Sequence, residues 1–221
     1  MPTMNSTQSL GLRQHQPASV TEQSDSESIA FRRLALQLHH DLNASSSSRS
    51  VLVVSPDDAG ACAMVSSRLA CCMAEELARE VLLADATREG RLSVALAEAV
   101  PTGLNDFLSD PSLPLEKLVL PTSAPGVAFL PSGSRSKGYD PDHNANLLRA
   151  AGDRFNFVVV AAGAILNDPF ALASAPLFGA VLLLVIENET PTKRFEEAAH
   201  ALKMCGVERL HLTLVHRTVE A

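Results

Sequence analysis

Residues 50–64 read SVLVVSPDDAGACAM. An apolar strand runs into a turn, and the turn runs into a helix. Many α/β proteins hold a phosphate at such a place, because the first turn of a helix offers unpaired N–H groups and the positive end of its dipole. A phosphate cradle of this kind wants glycines, so that the backbone can approach the ligand, and a lysine for charge. This turn has few glycines, no lysine, and two aspartates, Asp57 and Asp58. The residue types therefore pose a choice between a phosphate site and a turn that keeps the place of one without its chemistry.

The other reactive side chains form no cluster of their own. Cys62, Cys71, Cys72 and Cys205 have neither zinc-site spacing nor a disulfide pattern, and read as small buried thiols. His39 and His40 fall near a helix end, where positive charge is favoured. The formal net charge of −7 argues against a nucleic-acid binder, which usually carries a basic face. No segment reaches the roughly 18 apolar residues of a membrane helix, and the first 20 residues lack the charged-then-apolar build of a signal peptide. The expectation is a cytoplasmic protein without a metal or cofactor.

The elements that position the turn follow from apolar patterning. Residues 1–26 are polar and aperiodic and read as a disordered tail; residues 27–221 read as one domain. A helix is expected over 26–42, with Ala30, Leu34 and Leu38 at helical spacing. Strands are expected at VLVVS, EVLLAD, EKLVLPT, VAFLPSG, FNFVVVAA, AVLLLVIE and LHLTLVH, and helices at 60–79, 90–100, 102–110, 144–154 and 192–206. Strands that are apolar throughout and alternate with helices predict a mostly parallel central sheet with helices on both faces. Ligands in such sheets lie beyond the carboxyl ends of the strands. The turns after Val54, Leu83 and Val160 are thus the ones to inspect. The loop 132–146 would lie near them, with Arg135 and Lys137 as the cations that could attract an anion.

Over residues 28–216 the order of segments resembles the cytoplasmic domain of bacterial tyrosine kinases (BY-kinases) of capsule and exopolysaccharide export, in the MinD-like branch of P-loop ATPases. AFRRLALQL is similar to the family's leading helix, AREVLLADATREGRL to the strand and turn ending in D-x-D-x-R, TGLNDFLSD and the later PSG to its G-L-[ST]-D-x-L and P-x-G segments, and DRFNFVVVAAGAILNDPFAL to Y-D-Y-V-I-I-D-x-P-P-V-L-x-D. The resemblance implies a P-loop NTPase-like fold.

The departures fall on the chemistry. The family's G-x-G-K-[ST]-[ST] loop lies over Ala59, Gly60, Ala61, Cys62, Ala63 and Met64. Cys62 holds the lysine position, and Ala63 and Met64 hold the positions of the magnesium hydroxyl. D-x-D has become Asp85-x-Thr87, and Ala161 stands where a magnesium-associated aspartate would be. The acceptor tyrosine cluster is expected to be absent, since the one tyrosine is Tyr139. In the leading helix, where the family writes E-x-x-R-x-x-R for subunit contact, this chain has Ile29, Arg32 and Ala35. Phosphoryl transfer relies on positioning and charge stabilisation, and each aspartate added to the turn would oppose a triphosphate by up to ~4 kcal/mol at 4 Å before screening.

The resulting expectation is a pseudokinase or pseudo-ATPase, with no catalytic, cofactor or metal residues, serving as scaffold or regulator in exopolysaccharide export. Its implied partner is the cytoplasmic segment of a membrane polysaccharide co-polymerase or a homologous kinase, with a homo-oligomer possible, no nucleic acid and no direct membrane insertion. Recruitment to the inner membrane would be through that partner. Phe31, Arg32, Arg33, Asp57 and Asp58 are the interface candidates. The alternative is an autokinase or ATPase whose site a partner completes. A MinD-like positioning factor is the third reading, for which the basic amphipathic membrane helix is missing from the sequence.

Overall fold

A strand that is apolar at every position has two faces to bury, and this sequence has five of them. The computed structural model describes residues 18–44, 49–97, 102–134 and 141–216. Strands β1 (Ser50–Ser55), β2 (Val81–Asp85), β3 (Leu120–Pro121), β4 (Val127–Leu130), β5 (Phe157–Ala164), β6 (Ala180–Ile186) and β7 (Leu210–Val215) form one sheet in the order β3-β4-β2-β5-β1-β6-β7. All neighbours are parallel except β3, which is antiparallel to β4. The chain thus has the mostly parallel, two-sided sheet that its apolar runs predict.

Alternate residues go to opposite layers, as the two-residue period of a strand requires. Val51 and Val53 of β1, Val81 and Leu83 of β2, and Val159 of β5 join one core with helices α1 (Ala18–Asn43) and α2 (Ala59–Leu77). Leu52, Val54, Leu82, Val158 and Val160 join the other. That second core is closed by α4 (Leu104–Ser109), α5 (Pro141–Gly152), α6 (Pro169–Ser174) and α7 (Thr192–Met204), while α3 (Arg91–Leu96) follows β2.

Several elements differ from the sequence expectation. Helix α1 begins at Ala18, so the segment read as tail is helical from residue 18 to its end at 26; residues 1–17 lie outside the described residues. The sequence from Ala18 to Ser26 is mostly polar and has no apolar repeat, which is why apolar periodicity placed the start later. Of EKLVLPT only Leu120–Pro121 is strand, preceded by a single 3-10 turn at Leu115–Lys117; a proline without an N–H fits a sheet edge and shortens the ladder. Helix α6 was not anticipated, although Asp168 as N-cap followed by Pro169 is a helix-start signal. Arg135, Lys137 and Tyr139 lie outside the described residues.

The G-L-N-D and P-S-G stretches form one locked corner near the carboxyl ends of β2 and β4. Leu104 N–H donates to the Pro131 carbonyl at 2.7 Å and Asn105 N–H to the Ser132 carbonyl at 2.9 Å. Asp106 Oδ2 accepts from Gly103 N–H at 2.7 Å and Ser134 N–H at 3.0 Å. Gly133 has φ +74°, and a Cβ there would run into Asp106 Oδ2 and the Gly103 backbone. Gly133→Ala should therefore lower the unfolding free energy by roughly 1–3 kcal/mol, read by urea denaturation; an unchanged midpoint would show the corner to be slack.

Candidate functional site

The turn after β1 is held by its own side chains. Ser55 O–H donates to the Asp58 carbonyl at 2.7 Å, and Asp58 N–H donates back to Ser55 Oγ at 2.6 Å. Asp58 is the N-cap of α2, with Oδ1 accepting from Ala61 N–H at 3.0 Å. An N-cap carboxylate satisfies one of the four unpaired donors at a helix start and meets the positive end of the dipole. The helix thus already begins at Ala59, inside the segment that the resemblance aligns with the phosphate loop. Gly60 sits in this helix without positive φ, and a Cβ there would lie 3.1 Å from Asp58 Oδ1, so glycine leaves the capping carboxylate room.

Asp57 turns outward and meets a residue that the sequence reading did not single out. Arg194 of α7 donates from Nε to Asp57 Oδ2 at 2.9 Å and from Nη2 to Oδ1, while its Nη1 reaches Glu197 at 3.2 Å. The paired Asp57 carboxylate pushes the guanidinium's proton affinity up. The charge balance expected at the turn is corrected accordingly: a cation is present, but two carboxylates engage it, and Asp58 adds a third. Arg194 lies 137 positions from Asp57, in a helix that looked only amphipathic, so no local signal marked it.

Cys62, on the lysine position, is fully buried in the α1/α2 core. Its S–H donates to the Asp58 carbonyl at 3.3 Å, and burial pushes the thiol up to about 12, with Ser55 pulling the other way and Asp58 adding to the rise. Ala61 and Ala63 are buried and Met64 is 38% exposed on the helix surface. None of these atoms offers a positive charge or a hydroxyl.

At the second turn Asp85 is completely buried and its four acceptor positions are filled. Oδ1 takes Thr87 N–H at 3.0 Å and Thr87 O–H at 2.6 Å; Oδ2 takes Ser93 N–H and Ser93 O–H, both at 2.7 Å. Ser93 Oγ in turn accepts Ser132 N–H at 2.8 Å, tying β2, α3 and the β4 turn together. Thr87 and Ser93 were legible only as an exchanged motif position and a helix residue; the carboxylate they satisfy explains both. At the third turn Ala161 is buried beside Val53 of β1 and Asp85 of β2. Asp168 survives as the N-cap of α6, accepting from Phe170 N–H at 2.9 Å.

The five interface candidates do not form one patch. Phe31, partly buried, packs on the core under Arg68, whose guanidinium lies 6.0 Å from its ring. Arg32 pairs with Glu76 of α2 at 2.9 Å, and Arg33 is exposed. Asp57 and Asp58 sit at the other end of α2, eighteen residues from Glu76, or about 27 Å along the helix.

Comparison with solved structures adds the fold. No protein-family model matches this chain, and no curated protein matches it. The VpsO kinase domain superposes with a TM-score of 0.75 at 18% identity, covering 90% of this chain and 98% of that one. The kinase domain of the Escherichia coli tyrosine kinase ETK gives 0.72 at 20% identity, covering 88% and 78%. The MinD cell division protein of Aquifex aeolicus gives 0.61 at 14% identity, covering 75% and 68%. The fold is that of BY-kinase domains and MinD-like P-loop ATPases. Among the described residues no helix is long and apolar enough to cross a membrane.

The Cys62 geometry has a measurable consequence. The folded state keeps the thiol proton above the ordinary thiol value of 9.0, where the unfolded chain loses it. Stability from this group is therefore present below pH 9 and falls as pH rises towards 12, by up to about 1.4 kcal/mol per pH unit. The alkaline slope should be shallower in Cys62→Ala than in the parent protein. With a thiol reagent at neutral pH, exposed Cys205 should react first and Cys62 only on unfolding; early labelling of Cys62 would contradict its burial.

Proposed function

We propose that this chain is a non-catalytic relative of the BY-kinases, a pseudokinase or pseudo-ATPase that acts as scaffold or regulator of exopolysaccharide export. The observation that carries the reading is the β1–α2 turn, where Asp58 accepts the Ala61 N–H that a phosphate oxygen would otherwise need. An N-cap of this kind stabilises the helix by about 1 kcal/mol, and a polyphosphate must displace it before gaining any contact. Repulsion from the carboxylates is then added, with no lysine to offset it. The positions Ala59, Gly60, Ala61, Cys62, Ala63 and Met64 are in this reading a former phosphate loop that has become the first turns of a helix.

A fold retained without its chemistry most simply serves an interface. The partner in this reading is the cytoplasmic segment of a membrane polysaccharide co-polymerase, or a catalytically active homologue, which would hold the chain at the cytoplasmic face of the inner membrane. Phe31, Arg32 and Arg33 on α1 and Asp57 at the turn are the residues proposed to meet it, as two separate contacts.

Two measurements test the proposal. Isothermal calorimetry of the whole chain with ATP and Mg²⁺ should show no saturable heat, and pull-down with co-polymerase cytoplasmic segments should retain the protein. Micromolar ATP binding by the lone chain would refute the pseudo-enzyme reading, and the failure of every co-polymerase segment and kinase homologue to bind would refute the scaffold.

A further inference from the structure

The two edges of the sheet are managed very differently. At one, β3 is two residues long and ends in Pro121, which are ordinary ways to stop a sheet from growing. At the other, β7 runs six residues in unbroken register with β6, from Val181↔Leu210 to Ile186↔Val215. Val181 N–H donates to the Arg209 carbonyl and Glu187 N–H to the Val215 carbonyl. The odd-numbered residues of β7 therefore bond to β6, and by alternation Leu210, Leu212 and Leu214 turn their N–H and C=O groups to the open side. Leu212 is 58% and Leu214 54% exposed, beside Leu183 and Val185 of β6.

The segment RLHLTLVH, 209–216, carries none of the usual edge protection: no lysine, no proline and no carboxylate. Its histidines are turned to partners within the chain, His211 to Asp41 at 3.7 Å and His216 to Glu187, and Arg209 donates to the Gly179 carbonyl. Between Leu212 and Leu214 the edge is uncharged and leucine-lined, and Arg209 at its start keeps its charge beside the Gly179 carbonyl, so a charged peptide finds little counter-charge along the stretch that would pair.

We infer that β7 is a self-association edge, through which two copies of this chain pair antiparallel about a two-fold axis at Thr213. Its own sequence is the complement it needs. In that register Leu212 lies opposite Leu214 of the second copy, twice over, so four leucines meet across the axis. Leu210 lies opposite His216, and no like charges face each other between Leu210 and His216. The outward N–H and C=O groups of Leu212 and Leu214 form hydrogen-bonded pairs, and Thr213 forms the close, non-bonded pair on the axis, a self-complementary interface of the isologous kind. The edge is remote from the β1–α2 turn, being separated from β1 by β6, so the association does not depend on whether nucleotide binds.

The test is sedimentation velocity on the whole chain over a dilution series, together with two variants. The parent should show a reversible dimer, and Leu212→Lys/Leu214→Lys should be monomeric at the same concentrations with unchanged circular dichroism and melting. Thr213→Cys in a Cys205→Ser background should form an intermolecular disulfide on mild oxidation, since a non-bonded antiparallel pair brings its Cα atoms to about 4.5 Å. A parent that is monomeric throughout, as it would be if residues 1–17 or 217–221 covered the edge, overturns the inference. So does a dimer that survives the double lysine variant or gives no cross-link through Thr213→Cys.

Discussion

The first turn of a helix leaves N–H groups that something must satisfy, and in this chain the Asp58 carboxylate does so at α2. Much of the turn is organised around that contact. Ser55 brackets Asp58 from both its N–H and its carbonyl; the Cys62 thiol closes on the same carbonyl from inside the helix; Arg194 holds the neighbouring Asp57 from α7. The turn is thus closed by its own side chains and continues directly into helix.

The second turn is closed by its own side chains in a similar way. A lone buried carboxylate would be costly, yet Asp85 has four donors from Thr87 and Ser93, and through Ser93 it fastens the β4 turn. The aspartate that the motif reading marked as a survivor is, in the structure, a tie between three segments. Ala161 lets β5 lie beside β1 and β2 without introducing a second charge into that core. The carboxylates at the first two turns, Asp58 and Asp85, are each satisfied within the chain, which is the physical content of the proposed pseudo-enzyme.

The frame was readable from sequence because its signals are local and repetitive. Apolar runs such as VLVV, VLLA and FVVVAA determine both faces of a buried strand, and the parallel order followed from their alternation with helices. What was not readable depends on long-range pairing or on polar residues. The early start of α1 has no apolar stripe to announce it, and the Arg194 clamp on Asp57 joins residues far apart in the chain. The start of α2 was readable as well, since the helix expected from residue 60 begins at Ala59 with Asp58 as its N-cap. The interface candidates were chosen from a motif and so carried no information on their mutual distance; Arg32 proved to be paired with Glu76, and the two ends of α2 keep the set apart.

The proposed function depends on what occupies the Ala61 N–H. A crystal of the whole chain soaked with ATP and Mg²⁺ should retain the Asp58 carboxylate on that donor, with no polyphosphate beside Cys62. Density for ADP or ATP in the turn, with Asp58 swung away, would contradict it.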